Sequence, residues 1–192
     1  MDTAFSNVSL PPMSIITRRG DSGETDLLFN KRIAKSALRI EVVGCIDELN
    51  AALGLARSVE QKPELIELMD GIQNRLVGLM GELATLPEDL GKYAEKGYPA
   101  IGHEDVEWVF QTARGYEQQG IKFVGWAVPG AEGSLARAGL DFARTIARRA
   151  EREVWSLHES GQEVSEHIRL FFNRLSDLLW ILARVNHDPS EK

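Results

Sequence analysis

The sequence VSEHIRLFFNRLSDLLWILARV, residues 164–185, carries an apolar side chain at every third or fourth position. These positions are Val164, Ile168, Phe171, Leu175, Leu178, Leu182 and Val185. Because an α-helix turns once every ~3.6 residues, side chains with this spacing lie on one face. The stretch therefore predicts a long amphipathic helix whose apolar face packs against other helices.

The same period recurs in the chain before this helix. Apolar stripes predict a helix through residues 42–56, a second through 65–83, a shorter third through 106–113 and a long fourth through 146–157. Pro63 suits the first turn of the second helix, where a missing N–H breaks no intrahelical bond. No segment alternates with period two for long, which disfavours strands. We therefore predict an all-α fold, a five-helix bundle.

The N-terminal part of the chain lacks this period. Residues 1–13 hold no Arg or Lys and no long apolar run, so we expect a flexible tail rather than a signal or transit peptide. The length of the remainder, residues 14–192, fits a single domain. Residues 14–38 are polar and contain Gly20 and Gly23, which predicts a long loop, and such loops are often functional.

Composition excludes several classes of protein. The chain has 22 basic and 29 acidic residues, a formal net charge of −7 that repels nucleic acid and anionic membranes. No apolar run approaches the roughly 20 residues that span a bilayer. The one cysteine, Cys45, allows no intramolecular disulfide, and its place beside an apolar stripe predicts a small core residue rather than a nucleophile. We expect a cytoplasmic protein.

A row of arginines marks the predicted fourth helix. Arg144, Arg148 and Arg152 follow one another at intervals of four and therefore point from one face. Spacing alone fits a solvated face with ion pairs, and it equally fits a polyphosphate site, because guanidinium groups bind phosphate oxygens in pairs. Asp47 and Glu48 of the first helix are candidates to orient these arginines, within the bundle or across a subunit boundary.

Other polar groups are ambiguous by themselves. Asn173 and Asp177 lie four apart on the last helix, away from the centre of its apolar stripe, and fit either an exposed face or a site. Residues 17–25, TRRGDSGET, suit both a phosphate-wrapping loop and an ordinary turn. Trp126, just ahead of Pro129, is a candidate pocket wall. The scattered histidines form no Glu-x-x-His pair, and we predict no metal site built from side chains.

Four blocks of sequence occur in an informative order. They are TRRGDSGET at 17–25, RIEVVGCIDELN at 39–50, ARTIARRAER at 143–152, and FNRLSDLL at 172–179 followed by LAR at 182–184. In this order and with these separations they resemble the PduO-type ATP:cob(I)alamin adenosyltransferases. The similarity extends from about residue 15 to residue 186, nearly the whole chain.

This resemblance implies a homotrimer of helical bundles with active sites between the subunits. The implied nucleotide loop comprises Thr17, Arg18, Gly20, Asp21, Gly23, Thr25 and Lys35. The implied remainder of the ATP site comprises Arg148, Glu151, Arg152 and Asn173, with Arg148, Arg152 and Asn173 as the catalytic residues. Asp47 and Arg144 would form an ion pair across the subunit boundary, and Trp126 would replace a phenylalanine beside the corrinoid.

The resemblance also implies the reaction. The Co(I) of a reduced corrinoid attacks the 5′ carbon of ATP, which releases triphosphate and gives adenosylcobalamin. Because cobalt is the nucleophile, the protein contributes positioning and charge stabilisation, in keeping with the absence of a Ser/His/Asp arrangement. The implied small molecules are ATP, Mg²⁺ and the corrinoid. The implied partners are a corrinoid reductase and an adenosylcobalamin-dependent enzyme.

Several residues depart from the family pattern. Phe29-Asn30 stands where a Gly-Gly pair is usual, so we expect the positive-φ geometry there to be lost. Glu24 replaces a small hydroxyl residue and is expected to repel phosphate, and Asp141 replaces a frequent histidine. Together with Trp126, these departures leave open a second hypothesis, a non-catalytic paralogue that binds ATP or corrinoid as a regulator or delivery protein. A purely structural helical oligomer is the third.

Overall fold

The computed structural model describes residues 16–121, 125–131 and 133–185. Its helices are α1 (Leu38–Val59), α2 (Pro63–Leu83), α3 (Leu90–Glu95), α4 (His103–Glu117), α5 (Leu135–Glu159) and α6 (Glu166–Leu182). The all-α class is confirmed. The prediction of five helices missed α3, because six residues are too few to show a helical period. The predicted tail lies outside the described residues.

The apolar stripes form one shared core. All seven stripe positions of the quoted stretch are buried, and Phe171 is fully so. Helix α5 packs along α1 and against α6, which in turn packs against α4, while α2 packs against α1. The long helix α5 is therefore central, and the site residues on α5 and α6 stand on rigid, buried supports. Within the described ranges, no helix has the length and apolar character needed to cross a bilayer.

Helices α1 and α5 approach each other closely at Gly139. A Cβ atom built on Gly139 would lie 3.0 Å from the Cβ and 3.1 Å from the Cα of Ala56. These distances are shorter than ordinary carbon–carbon contacts of about 3.5–4.0 Å, so the position accepts no larger residue without movement of a backbone. The contact brings the outer face of α5 within reach of α1, where Glu48 forms an ion pair with Arg149.

The predicted loop contains a short antiparallel hairpin of β1 (Glu24–Asp26) and β2 (Arg32–Ala34), with Glu24 opposite Ala34. Three-residue strands are too short to show a period of two, which explains why the sequence did not predict them. Phe29 and Asn30 connect the strands with φ of 57° and 58°. The expected loss of positive-φ geometry is therefore wrong, since the left-handed turn is kept without glycine.

Contacts outside this turn hold it in place. The N–H of Leu27 donates to the carbonyl of Lys31 at 2.8 Å, and the N–H of Leu28 donates to the carbonyl of Ala84 at 3.0 Å. The side chain of Lys31 also forms an ion pair with Glu88 at 3.4 Å. These bonds tie the hairpin to the end of α2 and maintain a backbone conformation that non-glycine residues adopt rarely.

Asn30→Val is expected to lower the free energy of unfolding by about 1–2 kcal/mol, because a β-branched side chain tolerates the left-handed region poorly while asparagine tolerates it well. Asn30 is exposed, so little packing changes. Asn30→Gly is the matched control and should leave the stability within about 0.5 kcal/mol of the parent. Urea denaturation of the three proteins measures both differences, and equal midpoints for the Val and Gly variants would contradict the expectation.

Candidate functional site

The arginine row lies on one face of α5, as its spacing predicts. The Nη1 of Arg152 donates to the main-chain carbonyl of Arg148 at 2.9 Å, which holds the side chain of Arg152 along this face of the helix. Both residues are exposed. Among the described residues, the guanidinium of Arg148 makes no hydrogen bond or ion pair. A cation in this state is available to an anion from solution.

The α6 residues predicted for the ATP site stand next to this row. The Nδ2 of Asn173 donates to the Oε1 of Glu151 on α5 at 3.1 Å. One turn further along α6, partial burial raises the pKa of the Asp177 carboxyl, Arg148 lowers it, and Glu151 raises it. The structure thus brings Arg148, Glu151, Asn173 and Asp177 into one polar cluster across the contact between α5 and α6.

Asp177→Asn should raise the melting temperature near neutral pH. Because the folded chain holds the pKa of Asp177 above its ordinary value of 3.8, the protonated carboxyl adds stability that is fully present below that value and is lost as the pH rises through the raised pKa. Asparagine does not titrate, so the advantage of the variant over the parent should grow between about pH 4 and pH 7. Differential scanning fluorimetry across this range measures the trend.

Asp70→Asn provides a control of opposite sign. A hydrogen bond from Arg57 lowers the pKa of Asp70, so its contribution to stability is present at neutral pH and lost as the pH falls. The deficit of this variant should be largest near pH 7 and shrink towards about pH 4. A difference between parent and Asp177→Asn that does not change with pH would contradict the assignment for Asp177.

A cavity of about 580 Å³ opens beside the polar cluster, between α4 and α6. Its lining comprises Phe110, Ala113, Arg114, Glu117, Ile121, Arg174, Asp177, Trp180 and Ile181. Asp177 belongs to both the cluster and the cavity, while Phe110, Trp180 and Ile181 provide large apolar walls. Such a combination of apolar walls and a few polar groups is typical of sites for organic ligands.

Sequence reasoning missed this cavity. Trp180 was not singled out from the sequence, although it lies three positions after Asp177 and therefore on the same side of α6. The guanidinium of Arg174 lies over the ring of Phe110, with its Cζ 5.3 Å from the ring centroid, and so joins α6 to α4. The signal that could have predicted the cavity is the spacing of Asp177 and Trp180, a carboxylate and an aromatic side chain three residues apart at the edge of the apolar stripe of α6.

The predicted nucleotide loop is a turn with its own hydrogen bonds. The N–H of Asp21 donates to the carbonyl of Arg18 at 3.2 Å, and the N–H of Lys35 donates to the carbonyl of Gly23 at 2.8 Å. A Cβ on Gly20 would lie 2.9 Å from the Nζ of Lys35, so this ammonium group lies directly against the turn. Five predicted residues are thus gathered around the turn. Thr17 and Thr25 lie in the same segment.

Glu24 is paired within the hairpin. Its Oε2 accepts from the Nε of Arg32 at 3.3 Å, and the same guanidinium reaches Asp26 at 2.9 Å. Arg19 forms a second ion pair with Asp26 at 3.0 Å. The charge of Glu24 is therefore balanced locally, which weakens the phosphate repulsion that the sequence led us to expect.

The remaining site residues do not meet within one chain. Asp47 is exposed, and Arg144 instead donates to Asp141 of its own helix at 3.0 Å. Trp126 is 98% exposed and lines no part of the cavity. In the described part of the chain, no predicted loop residue forms a hydrogen bond or ion pair with Arg148, Arg152 or Asn173. The cross-subunit pair and the role of Trp126 stay predictions.

Two observations concern metal and thiol chemistry. No group of three or more His, Cys, Asp or Glu side chains among the described residues is arranged to hold a metal ion. Cys45 is 3% exposed, and burial raises the pKa of its thiol, although Arg149 lowers it. The interpretation of Cys45 as a small core residue is confirmed. No described side chain is thus suited to act as a thiolate nucleophile.

Comparisons with solved structures place this geometry among known enzymes. A variant of the PduO-type ATP:corrinoid adenosyltransferase from Lactobacillus reuteri, solved with cobalamin and ATP, is similar to this chain with a TM-score of 0.77 and 28% identity. The similarity covers 90% of this chain and 92% of that one. A second variant of the same enzyme, also with cobalamin and ATP, gives a TM-score of 0.78 at 27% identity.

Sequence comparisons extend the similarity. A corrinoid adenosyltransferase of Citrobacter freundii is 33% identical over 171 residues, which cover 89% of this chain and 93% of the relative. The corrinoid adenosyltransferase PduO of the same organism is 38% identical over 185 residues, and the chain spans about half of its length, 52%. The family model described as cobalamin adenosyltransferase matches residues 15–186. The chain belongs to the cobalamin adenosyltransferase family.

Proposed function

We propose that this chain transfers the 5′-deoxyadenosyl group of ATP to the Co(I) of a reduced corrinoid and releases triphosphate. One observation carries the proposal: the guanidinium of Arg148, which has no hydrogen bond or ion pair among the described residues, belongs to a polar cluster that shares Asp177 with an apolar cavity of about 580 Å³. A polyanion beside an apolar macrocycle matches this arrangement. Both relatives described above are named for such a transfer.

In the reaction, a Co–C5′ bond forms while the bond from C5′ to the triphosphate oxygen breaks. The electron pair of the broken bond leaves with the triphosphate, so negative charge grows on that oxygen. Arg148 and Arg152 lie one turn apart on the same face of α5, and their guanidinium groups neutralise this charge. Since the negative charge on the oxygen is larger in the transition state than in bound ATP, these contacts favour the transition state over bound ATP.

Glu151 and Asn173 fix the orientation of the nucleotide. The carboxylate of Glu151 accepts one amide N–H of Asn173 at 3.1 Å, which sets the direction of the amide. The Oδ1 of Asn173 is then presented to a hydroxyl or amino group of the nucleotide. In such a displacement, the protein contributes to catalysis mainly by fixing the orientation of the C5′–O bond relative to the attacking cobalt.

The nucleotide loop completes the ATP site from a second chain. The turn around Gly20, with Lys35 against it, offers backbone N–H groups and a cation to phosphates. Its own hydrogen bonds run within the loop rather than to α5 or α6 of the same chain. We therefore assign the loop of one protomer to the arginine row of a neighbour, in a homotrimer whose boundary pairs Asp47 with Arg144. Sedimentation velocity tests the assembly.

The apolar cavity receives part of the corrinoid. Phe110, Trp180 and Ile181 suit the face and methyl groups of a macrocycle. Trp126 lines no part of this cavity within one chain, and we assign it to the part of the corrinoid that extends beyond the cavity. Mg²⁺ fits on the triphosphate itself, because this ion favours phosphate oxygens with one or two carboxylates and needs no dedicated cage. A corrinoid reductase supplies the Co(I) corrinoid, and an adenosylcobalamin-dependent enzyme uses the product. The reducing cytoplasm is a suitable compartment for both partner enzymes.

Two of the sequence features that suggested a non-catalytic paralogue no longer support it. Glu24 is balanced by Arg32, and Phe29-Asn30 retains the left-handed turn. An optical assay tests the enzyme directly: the protein, ATP and a Co(II) corrinoid are mixed, a reductant is added, and the spectrum of adenosylcobalamin should appear. Intact ATP binding without this spectrum would favour the regulator or delivery protein. Failure to bind either ligand would leave a structural oligomer.

A further inference from the structure

Asp141 is a buried carboxylate that holds two arginines. The residue is 6% exposed and lies on α5, one turn before Arg144. Its Oδ1 accepts from the Nε of Arg144 at 3.0 Å. Arg184, just beyond α6, reaches the same carboxylate with its Nη2 at 3.3 Å from both oxygens. One negative charge thus joins the arginine row of α5 to the end of α6.

Arg184, held by Asp141, also contacts Trp180 in the wall of the cavity. Its Nη1 donates to the carbonyl of Trp180 at 2.6 Å, and its Cζ lies 4.1 Å from the centroid of the Trp180 ring. The second contact places the planar guanidinium against the indole, an arrangement that is attractive and requires a defined orientation of both groups. Trp180 in turn lines the cavity assigned to the corrinoid.

Removal of the Asp141 charge would free this arrangement. Arg144 and Arg184 would be left as neighbouring cations on a mostly buried surface, and a buried charge without a counter-charge is strongly unfavourable. Arg184 would then turn towards water, because its remaining bond is to a main-chain carbonyl one turn earlier in the chain. Without the guanidinium over its ring, Trp180 would lose one of the contacts that orient its indole, and the shape of the apolar wall would change.

We infer that Asp141 is a positioning residue for the corrinoid: through Arg184 it fixes the indole of Trp180 as a wall of the cavity. The inference rests on the proposed function for the identity of the ligand. Asp141 itself touches neither substrate. It also restrains Arg144, so the corrinoid wall and the proposed subunit boundary share one anchor.

Asp141→Asn and Arg184→Lys test this role, with cob(II)alamin and ATP as the probes. Asparagine keeps the shape but loses the charge, and lysine keeps the charge but cannot lie flat on the indole. Both variants should weaken cob(II)alamin binding, measured in the presence of ATP by equilibrium dialysis, by about five- to tenfold. ATP affinity by calorimetry should stay within about twofold. Asp70→Asn, which breaks the ion pair between α1 and α2, should change neither.

The outcomes separate this inference from the proposed function. Unchanged cob(II)alamin affinity in Arg184→Lys overturns the inference, even if Asp141→Asn fails to fold. Equal losses for ATP and corrinoid, or a similar loss in Asp70→Asn, also overturn it, because they indicate general destabilisation. A parent that forms no adenosylcobalamin but binds corrinoid in an Asp141-dependent way would overturn the proposed function alone. A parent that binds no corrinoid overturns both.

Discussion

Arg148→Ala is expected to lower kcat for adenosyl transfer by about 10²–10³-fold, the usual loss when one fixed donor to a developing oxyanion is removed. Neither Arg148 nor Arg152 has an ion-pair partner among the described residues, and Arg148 also makes no side-chain hydrogen bond there, so its charge is available to the leaving triphosphate. Because the side chain is exposed, its removal opens no cavity in the core. The melting temperature should therefore stay within about 2 °C of the parent.

Two controls accompany this variant. Arg148→Lys keeps the charge but loses the paired donors, so it should recover only part of the lost rate. Arg57→Ala removes an arginine from the pair with Asp70 on the other side of α1 and should keep full turnover. Stopped-flow spectra of cobalt alkylation under single-turnover conditions measure the chemical step. A rate for Arg148→Ala within threefold of the parent would remove Arg148 from the catalytic residues.

Gly139→Val should produce the largest loss of stability, about 2–3 kcal/mol of unfolding free energy. The first added atom would lie 3.1 Å from the Cα of Ala56, and a main-chain atom cannot move aside as a flexible side chain does. The two helices must therefore separate along a contact that is fully buried at Ala56. Urea denaturation measures the loss, and it should be accompanied by a lower melting temperature.

Gly54→Ala on α1 is the matched control. The nearest atom to a Cβ there is the Nε2 of Gln73 at 3.6 Å, an ordinary contact with a flexible side chain. Alanine is a better helix former than glycine, so this variant should gain about 0.5–1 kcal/mol. If Gly139→Val and Gly54→Ala changed stability in the same direction, the close approach of α1 and α5 would not be what requires glycine at 139.

The helical framework could be predicted from the sequence because it rests on long-range repetition. The stripe from Val164 to Val185 is buried at every position, and Cys45 lies in the core as its place beside Ile46 indicated. The same logic has a length limit. Helix α3 and the hairpin strands span six and three residues, which is less than two helical turns or two full alternations.

The site could be predicted only in part, since it depends on contacts between elements. Helical spacing placed the arginines on one face, but it could not identify Glu151 as the partner of Asn173, because that contact crosses from α5 to α6. Trp180 was missed for the same reason. Arg144 was expected to meet Asp47, and its contact with Asp141 depends on side-chain orientations that spacing does not determine.

The Phe29-Asn30 turn shows the limit of reasoning from single residues. Sequence alone indicated that a left-handed backbone would be lost without glycine. The turn persists because the N–H of Leu27 donates to the carbonyl of Lys31 across the turn and the N–H of Leu28 donates to the carbonyl of Ala84 at the end of α2. One local and one tertiary hydrogen bond thus override a local preference of about 1–2 kcal/mol per residue.

The sealed position of Cys45 has a practical consequence. As the chain contains one cysteine and its side chain lies in the core, an alkylating reagent such as a maleimide can modify the folded protein only during excursions that expose α1. The labelling rate, divided by that of a free thiol, then reports how often the bundle opens. Cys45 of the unaltered protein is therefore a built-in probe of transient opening of the bundle. Slower labelling in the presence of ATP would indicate that ATP binds, without any engineered probe.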